Sequence, residues 1–228
     1  MRPYSFFCSV LLLGLVACAA EKQPRLPQLI GVAESLGKND CAAVYPQGKR
    51  QFVHAIDFVM QGGSGTAVVG VTSLNGNNIA CALVTVEGLT LFEAVFRHDE
   101  SFKVKRAVPP FDAPEFATGL IGDIRAIFQP PPGHGNRGQL LLPAPAAGLT
   151  AVCRYKDPAG GVVDVLPDVG GCWQIRSYTP DGVLDRTIVG RSCREQGTGL
   201  IPDYIELKTY GRTGYTLKMT LIRADNVL

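Results

Sequence analysis

The 228-residue chain contains no extended run of Lys or Arg, no C-x-x-C pair, no H-x-x-x-H spacing and no G-x-S-x-G. Its 22 basic and 20 acidic residues nearly cancel, so it carries no electrostatic footprint for nucleic acid. Without paired Cys or Cys/His clusters a zinc site is not expected. His54 lies mid-strand, His98 in a turn and His134 in a proline-rich stretch, with no metal-ligand spacing among them. His54 and Asp57 are three apart on a strand and would point to opposite faces, so they do not form half of a triad. The segment "GGSGT" at 62–66 has Thr where a nucleophile elbow needs its second glycine, and reads as a flexible turn. No glycine-rich loop precedes a convincing helix. These absences point away from catalysis, from a metal and from a cofactor.

Long apolar runs are also scarce. Only one stands out, Phe6–Val16, broken by Ser9 and Gly14. It is short of the ~20 residues that span a bilayer and suits the h-region of a signal peptide, with Arg2 as the only positive charge of the short n-region before it. It ends in Leu15-Val16-Ala17-Cys18: large, medium, small, Cys, the pattern of a bacterial lipobox. Cys8 follows bulky Phe6 and Phe7 and does not compete. The expectation is a signal peptide over 1–17, lipidation at Cys18, and a tether over 18–28 containing Pro24 and Pro27, ahead of a domain over 29–228. Plain secretion is the alternative. Ala19 rather than an acidic residue after the lipidated Cys points to the periplasmic face of the outer membrane.

Export changes how the other cysteines read. Cys41, Cys81, Cys153, Cys172 and Cys193 would enter an oxidising space, where disulfides persist. Five is odd, so at most two bridges form. Cys172 and Cys193 flank an expected hairpin and are the candidate pair; buried free thiols acting as small hydrophobes are the alternative.

Leu29–Leu36 followed by Gly37 is compatible with a short helix. From residue 51 the texture is that of strands, rich in β-branched and aromatic residues and punctuated by Gly62-Gly63, Asn75-Gly76, Glu87-Gly88 and Pro109-Pro110. Several of these strands are apolar on both faces, which calls for cover on both sides or for a concave face that holds something greasy. One helix is expected after Asp112, with Glu115 three residues on as a capping-box partner. Phe116, Leu120, Ile121, Ile124, Ile127 and Phe128 form its apolar stripe, with Asp123 and Arg125 outside it. "QPPPGHGNRG" then reads as an irregular loop. The second half returns to strands, and "TLKMTLI" alternates cleanly between a buried and a wet face. Trp173 and Tyr178 could stack a flat ligand, but a half-buried core anchor with its N–H paired is the favoured role for Trp173. The layout is meander, helix, meander: an α+β chain, mainly antiparallel β, with one sheet of roughly ten strands and a helix on its concave side.

The stretches "LIPDYIELKTYGRTGYTLKMTLI", "CWQIRSYTPDGVLDRTI" and "VVGVTSLNGNNIACALVTVEGLTLFEA" resemble the strands and hairpins of the LolA/LolB-like half-barrels. The resemblance implies a curved half-barrel sheet whose concave hydrophobic face is covered by a helix and accepts acyl-chain or lipoprotein cargo without catalysis. It implies a cavity lined by Phe58, Val69, Val71, Leu83, Leu91 and Phe92 from the sheet and Leu120, Ile124 and Phe128 from the helix. It also implies a membrane-contacting hairpin tip at Leu74, and a monomer held on the membrane by its N-terminal lipid. The cysteines and the long proline-rich loop depart from the family pattern. A structural or assembly lipoprotein, whose sheet docks another envelope protein, is the alternative function.

Overall fold

The computed structural model describes residues 23–30, 41, 44–97, 101–132, 135–141, 149–169, 172–196, 199–211 and 214–226. The first elements are β1 (Leu29–Ile30), β2 (Lys49–Met60), β3 (Gly65–Asn75), β4 (Asn78–Val84), β5 (Thr90–Phe96) and β6 (Phe102–Ala107). The helix α1 (Pro114–Phe128) follows, then β7 (Gly135–Leu141), β8 (Leu149–Lys156), β9 (Val162–Val169) and β10 (Cys172–Tyr178). The last strands are β11 (Leu184–Gln196), β12 (Gly199–Thr209) and β13 (Tyr215–Asn226). The described strands form one antiparallel sheet in the order β1-β7-β8-β9-β10-β11-β12-β13-β2-β3-β4-β5-β6. Two meanders therefore meet where β13 pairs with β2, and α1 carries the chain from the free edge at β6 to the opposite edge.

The sheet is open and strongly curved. Helix α1 reaches β2 through Phe128 on Phe52 (ring centroids 5.3 Å apart) and β5 through Arg125 over Phe96 (4.1 Å). It also reaches β11, where Arg186 meets Asp123 at 3.2 Å, and β13, where the Tyr215 hydroxyl donates to Asp123. β5 and β11 are six strand spacings apart in the sheet order, roughly 29 Å if the sheet were flat. A helix about 10–12 Å across touches both only if the sheet curls around it. The result is a half-barrel with helix α1 in its hollow.

Alternation sets which residues face that hollow. On β2, Phe52, His54, Ile56 and Phe58 point inward, and register carries the same face to Leu217 and Met219 on β13. The outer face of the β8–β11 arm has its own small cores. Val152 and Leu166 pack with Leu29, and Val162, Tyr178 and Leu184 pack with Leu26 and Tyr210.

Four sequence expectations are corrected here. Leu29–Ile30 is strand rather than helix, because its backbone pairs with Leu140 and Gln139 at the edge of β7; the rest of that expected helix lies outside the described residues. Part of the proline-rich loop, Gly135–Leu141, is strand β7, because β8 offers an unpaired edge and pairing there outweighs weak propensity. The capping box does not form. Ala113 is the N-cap without a side-chain bond, and Pro114, which lacks an N–H, opens the helix. Residues 24–28, expected as tether, are fastened to the domain together with Leu29–Ile30. The Leu184 N–H donates to the Pro24 carbonyl (3.0 Å) and the Leu26 N–H to the Gly182 carbonyl (2.8 Å). Arg154 grips Asp164 with two bonds of 2.7 Å and donates a third, of 2.9 Å, to the Pro27 carbonyl.

Candidate binding site

The hollow has two unlike halves. Beneath α1, on the β2–β5 side, it is packed. Phe58, Leu83, Phe92, Ile124 and Phe128 meet there, joined by half-buried Leu91 and Leu120. Phe58 lies 5.3 Å from the Tyr215 ring and 6.4 Å from Phe116, and Phe92 lies 6.4 Å from Phe111. The gap between Phe52, His54, Phe128, Trp173 and Ile205 is only about 10 Å³, about one water sphere.

Two of the residues expected to line the hollow face the other way. Val69 and Val71 pair with Ala55 and Val53 on the convex side, while Val68, Gly70 and Thr72 face in. The segment "AVVGV" is apolar in either register, and a shift of one residue exchanges the faces of a strand. Gly70 marks the inward register, because a Cβ there would stand 2.5 Å from the Ile56 Cδ1. Leu74 is no hairpin tip. It is 5 % exposed, pairs with Ile79, and sits one residue before the Asn75–Asn78 turn. The exposed apolar turn is Thr85–Leu89, with Val86 at 78 % and Leu89 at 54 %. Trp173 is a buried anchor lying against Gly190, where a Cβ would meet its ring at 2.8 Å, but its indole N–H has no partner. Tyr178 belongs to the outer face.

On the β9–β11 side the hollow stays open as a cleft of about 300 Å³. That size is at the lower end for small-molecule sites. One wall is α1, where Gly122 and Ala126 keep side-chain bulk away; a Cβ on Gly122 would meet nothing within 4 Å. The opposite wall is Val163 and Ile175, with Arg186 beside them. Tyr45 contributes a third wall. It is 1 % exposed, on a segment that the Cys41–Cys153 disulfide fastens to β8 (Cα–Cα 6.2 Å).

A buried ionic cluster holds the helix at this opening. Asp123 is 1 % exposed, paired with Arg186 and accepting from Tyr215. Burial raises its carboxyl pKa, against the pull of the Arg186 guanidinium and the Tyr215 hydrogen bond. Burial and the neighbouring carboxylate together push the Tyr215 hydroxyl upward. A charge this deep requires both partners. Sequence reasoning placed Asp123 outside the apolar stripe and missed the cluster. It also missed Tyr45 and the Cys41–Cys153 bridge. Cys172 and Cys193 are bonded to each other, with Cα atoms 5.2 Å apart, and Cys81 is a buried free thiol. Among the described residues no group of three His, Cys, Asp or Glu could hold a metal. Cys18 and the expected signal peptide lie outside the described residues.

A LolA superfamily protein from Nitrosomonas europaea superposes with a TM-score of 0.54 at 12% identity, over 84% of this chain and 91% of that one. The chain has the LolA-type half-barrel fold. A domain from Vibrio parahaemolyticus described as lipoprotein-sorting at the outer membrane follows at 0.48 and 10% identity, over 82% of this chain and 89% of that one. A DUF1329 family protein from Desulfovibrio piger follows at 0.45 and 8% identity, over 82% and 89%. No protein-family model matches the sequence, and neither does any curated protein. The LolA-type fold accounts for the single open sheet and for a helix in its hollow.

Proposed function

We propose that the chain is a lipoprotein of the outer membrane, held on its periplasmic face through Cys18, that binds an acyl chain of a lipid or lipoprotein cargo without chemistry. The observation that carries this reading is the open cleft between α1 and β9–β11, in a half-barrel otherwise filled by apolar side chains. Val163, Ile175 and Ala126 give it an apolar lining suited to a hydrocarbon chain. Its size suits one chain better than several.

The leash is short in this reading. With residues 24–30 fastened to the domain, only residues 19–23 remain between Cys18 and the sheet, about 18 Å at full extension. Pro24 docks at the turn after β10. The strand registers put the exposed Val86 and Leu89 at that same end of the sheet. This end therefore faces the bilayer, and the Thr85–Leu89 turn takes the place first expected of Leu74.

Mass spectrometry of lipid copurified with the full chain tests the cargo. Binding of a fluorescent hydrocarbon probe to wild type and to Gly122→Phe tests the cleft. The ring of the variant projects into space where a Cβ meets no neighbour, so it should block the probe while the domain stays folded. A folded wild type that binds no lipid and no probe would favour the docking-scaffold reading. Membrane fractionation of wild type and of Ala19→Asp tests the location; wild type in the inner membrane or in the soluble periplasm would remove the outer-membrane assignment.

A further inference from the structure

We propose that the convex face of β2–β5 docks one amphipathic helix of a partner protein, apolar along one stripe and acidic along its flank. The outward side chains of the sheet change character across its width. On β12 and β13 they are Tyr204, Glu206, Lys208, Thr216, Lys218 and Thr220, as a water-facing antiparallel sheet requires. On β2, β3 and β4 they are Val53, Ala55, Val69, Val71, Ala82 and Val84. None of these six packs into a core cluster of the described residues. Gln51 and Ser73, at the border of the patch, spend their polar groups on each other (3.1 Å). An apolar plain of this kind on the outside of a sheet is a surface made to be covered.

Size and shape narrow the occupant. Four strands at about 4.8 Å spacing, over the six residues from Val53 to Val59, make a patch of about 400 Å². A stable dimer buries about 800 Å² on each partner, and two convex faces curve away from each other, so a second copy is a poor fit. A helix of about 13 residues is about 20 Å long and about 10–12 Å across, which this plain accommodates. Its outward side chains are Val and Ala, short enough to let a helix approach closely.

Charge sets the flank. The acidic groups on this face each have a basic neighbour: Glu93 bonds Lys105 (2.8 Å), Asp225 bonds Arg223 (2.6 Å), and Asp57 stands opposite Lys218 in register. Lys103 and Arg106 on β6, with Lys49 and Arg97, have no ion pair among the described residues. The surplus is positive and follows the β6 side of the patch and the end where β2 begins. Acidic side chains on one flank of the helix meet it there. That end lies opposite the exposed Thr85–Leu89 turn, so these cations are not where the apolar turn would enter a bilayer.

The test uses two fluorescein-labelled helical peptides of the same apolar stripe, one with Glu along its flanks and one with Lys, titrated with the intact chain and read by anisotropy. The Glu peptide should bind and the Lys peptide should be about tenfold weaker. Val71→Glu, in the middle of the patch, should abolish binding, whereas Thr220→Glu, on the polar part of the same face, should not. Lys103→Glu/Arg106→Glu should weaken the Glu peptide about fivefold and strengthen the Lys peptide by about the same factor, a reversal that no misfolded variant could give. Equal binding of the two peptides, no binding of either, or indifference to Val71→Glu would overturn the proposal. So would a dimer in sedimentation, or flotation with phosphatidylglycerol vesicles, that Val71→Glu abolishes, since the face would then belong to a second copy or to the bilayer. The hollow lies on the other side of the sheet, so hydrocarbon-probe binding there should be the same in all variants, and the acyl-binding reading stands or falls separately.

Discussion

The two disulfides should differ in what they contribute, and the difference can be worked from their loops. Cys41–Cys153 closes a loop with a sequence separation of 112, and Cys172–Cys193 one of 21. In the chain-entropy account a cross-link stabilises by restricting the unfolded chain, and the effect grows with the logarithm of loop length. That gives about 5 kcal/mol for the longer loop and about 3 kcal/mol for the shorter. The loops do not overlap, so the contributions should add to about 8 kcal/mol. A whole domain is stable by only about 5–15 kcal/mol, so the fully reduced protein should be marginal. The assay is urea unfolding of the wild type and of two paired variants, Cys41→Ala/Cys153→Ala and Cys172→Ala/Cys193→Ala. Extrapolated free energies are the quantity to compare, because removing a cross-link also exposes more surface on unfolding and steepens the transition. The first pair should lose more than the second. Equal losses, or a larger loss for Cys172/Cys193, would refute the reasoning, as would a reduced wild type as stable as the oxidised one.

Thiol counting on the protein lacking residues 1–18 should give no reactive thiol when native, because Cys81 is buried and burial pushes its pKa up to about 11. One thiol should appear on unfolding without reductant and five after reduction; any other native or unreduced count contradicts the pairing. His54, enclosed between Phe52 and Phe128, has its pKa lowered by burial to about 4. The unfolded chain therefore binds the extra proton first, and stability falls as pH drops from about 6.5 towards 4, by about 2 kcal/mol between pH 7 and pH 5. Denaturation curves for His54→Phe should lack that part of the slope. The comparison with wild type isolates the imidazole from Asp123, whose raised pKa acts in the opposite direction.

The turns and the helix stripe were readable because their signals are local. Asn75-Gly76, Glu87-Gly88 and Pro180-Asp181-Gly182 all close hairpins, with Gly76, Gly88 and Gly182 in the left-handed region. Phe116, Leu120, Ile124 and Phe128 stack on one helical face within four turns. The cleft was not readable, because it is assembled from distant parts. Asp123 looks like a solvent-facing residue until Tyr215, 92 positions later, is brought against it. Tyr45 lies on a segment joined to β8 by a bridge that spans 112 positions. The faces of β3 were ambiguous for a different reason. With Val68, Val69 and Val71 in sequence, either register buries apolar surface, and only the pairing partners decide. The strand within the proline-rich loop and the fastening of residues 24–28 were not readable because an open edge and contacts on the outer face supplied partners that composition does not encode.

The placement of the covalent and ionic devices follows from the cleft itself. The β2–β5 side is stabilised by ordinary burial, with Phe92 and Ala94 fully enclosed and α1 seated over them. The β8–β11 side is buried too, through Val165, Trp173, Ile175 and Ile188, but each Å² of its open cleft forfeits about 25 cal/mol of apolar burial. That arm carries both disulfides, at Cys153 on β8 and at Cys172 and Cys193 on β10 and β11. It also carries the bidentate Arg154–Asp164 pair and the outer strap of residues 24–30. Asp123 then ties the helix from inside to this arm through its ion pair with Arg186, and to β13 through the hydrogen bond from Tyr215. A half-barrel that is to keep an opening in its hollow must be braced on its outer face and by cross-links, and the distribution of these groups is what that requirement dictates.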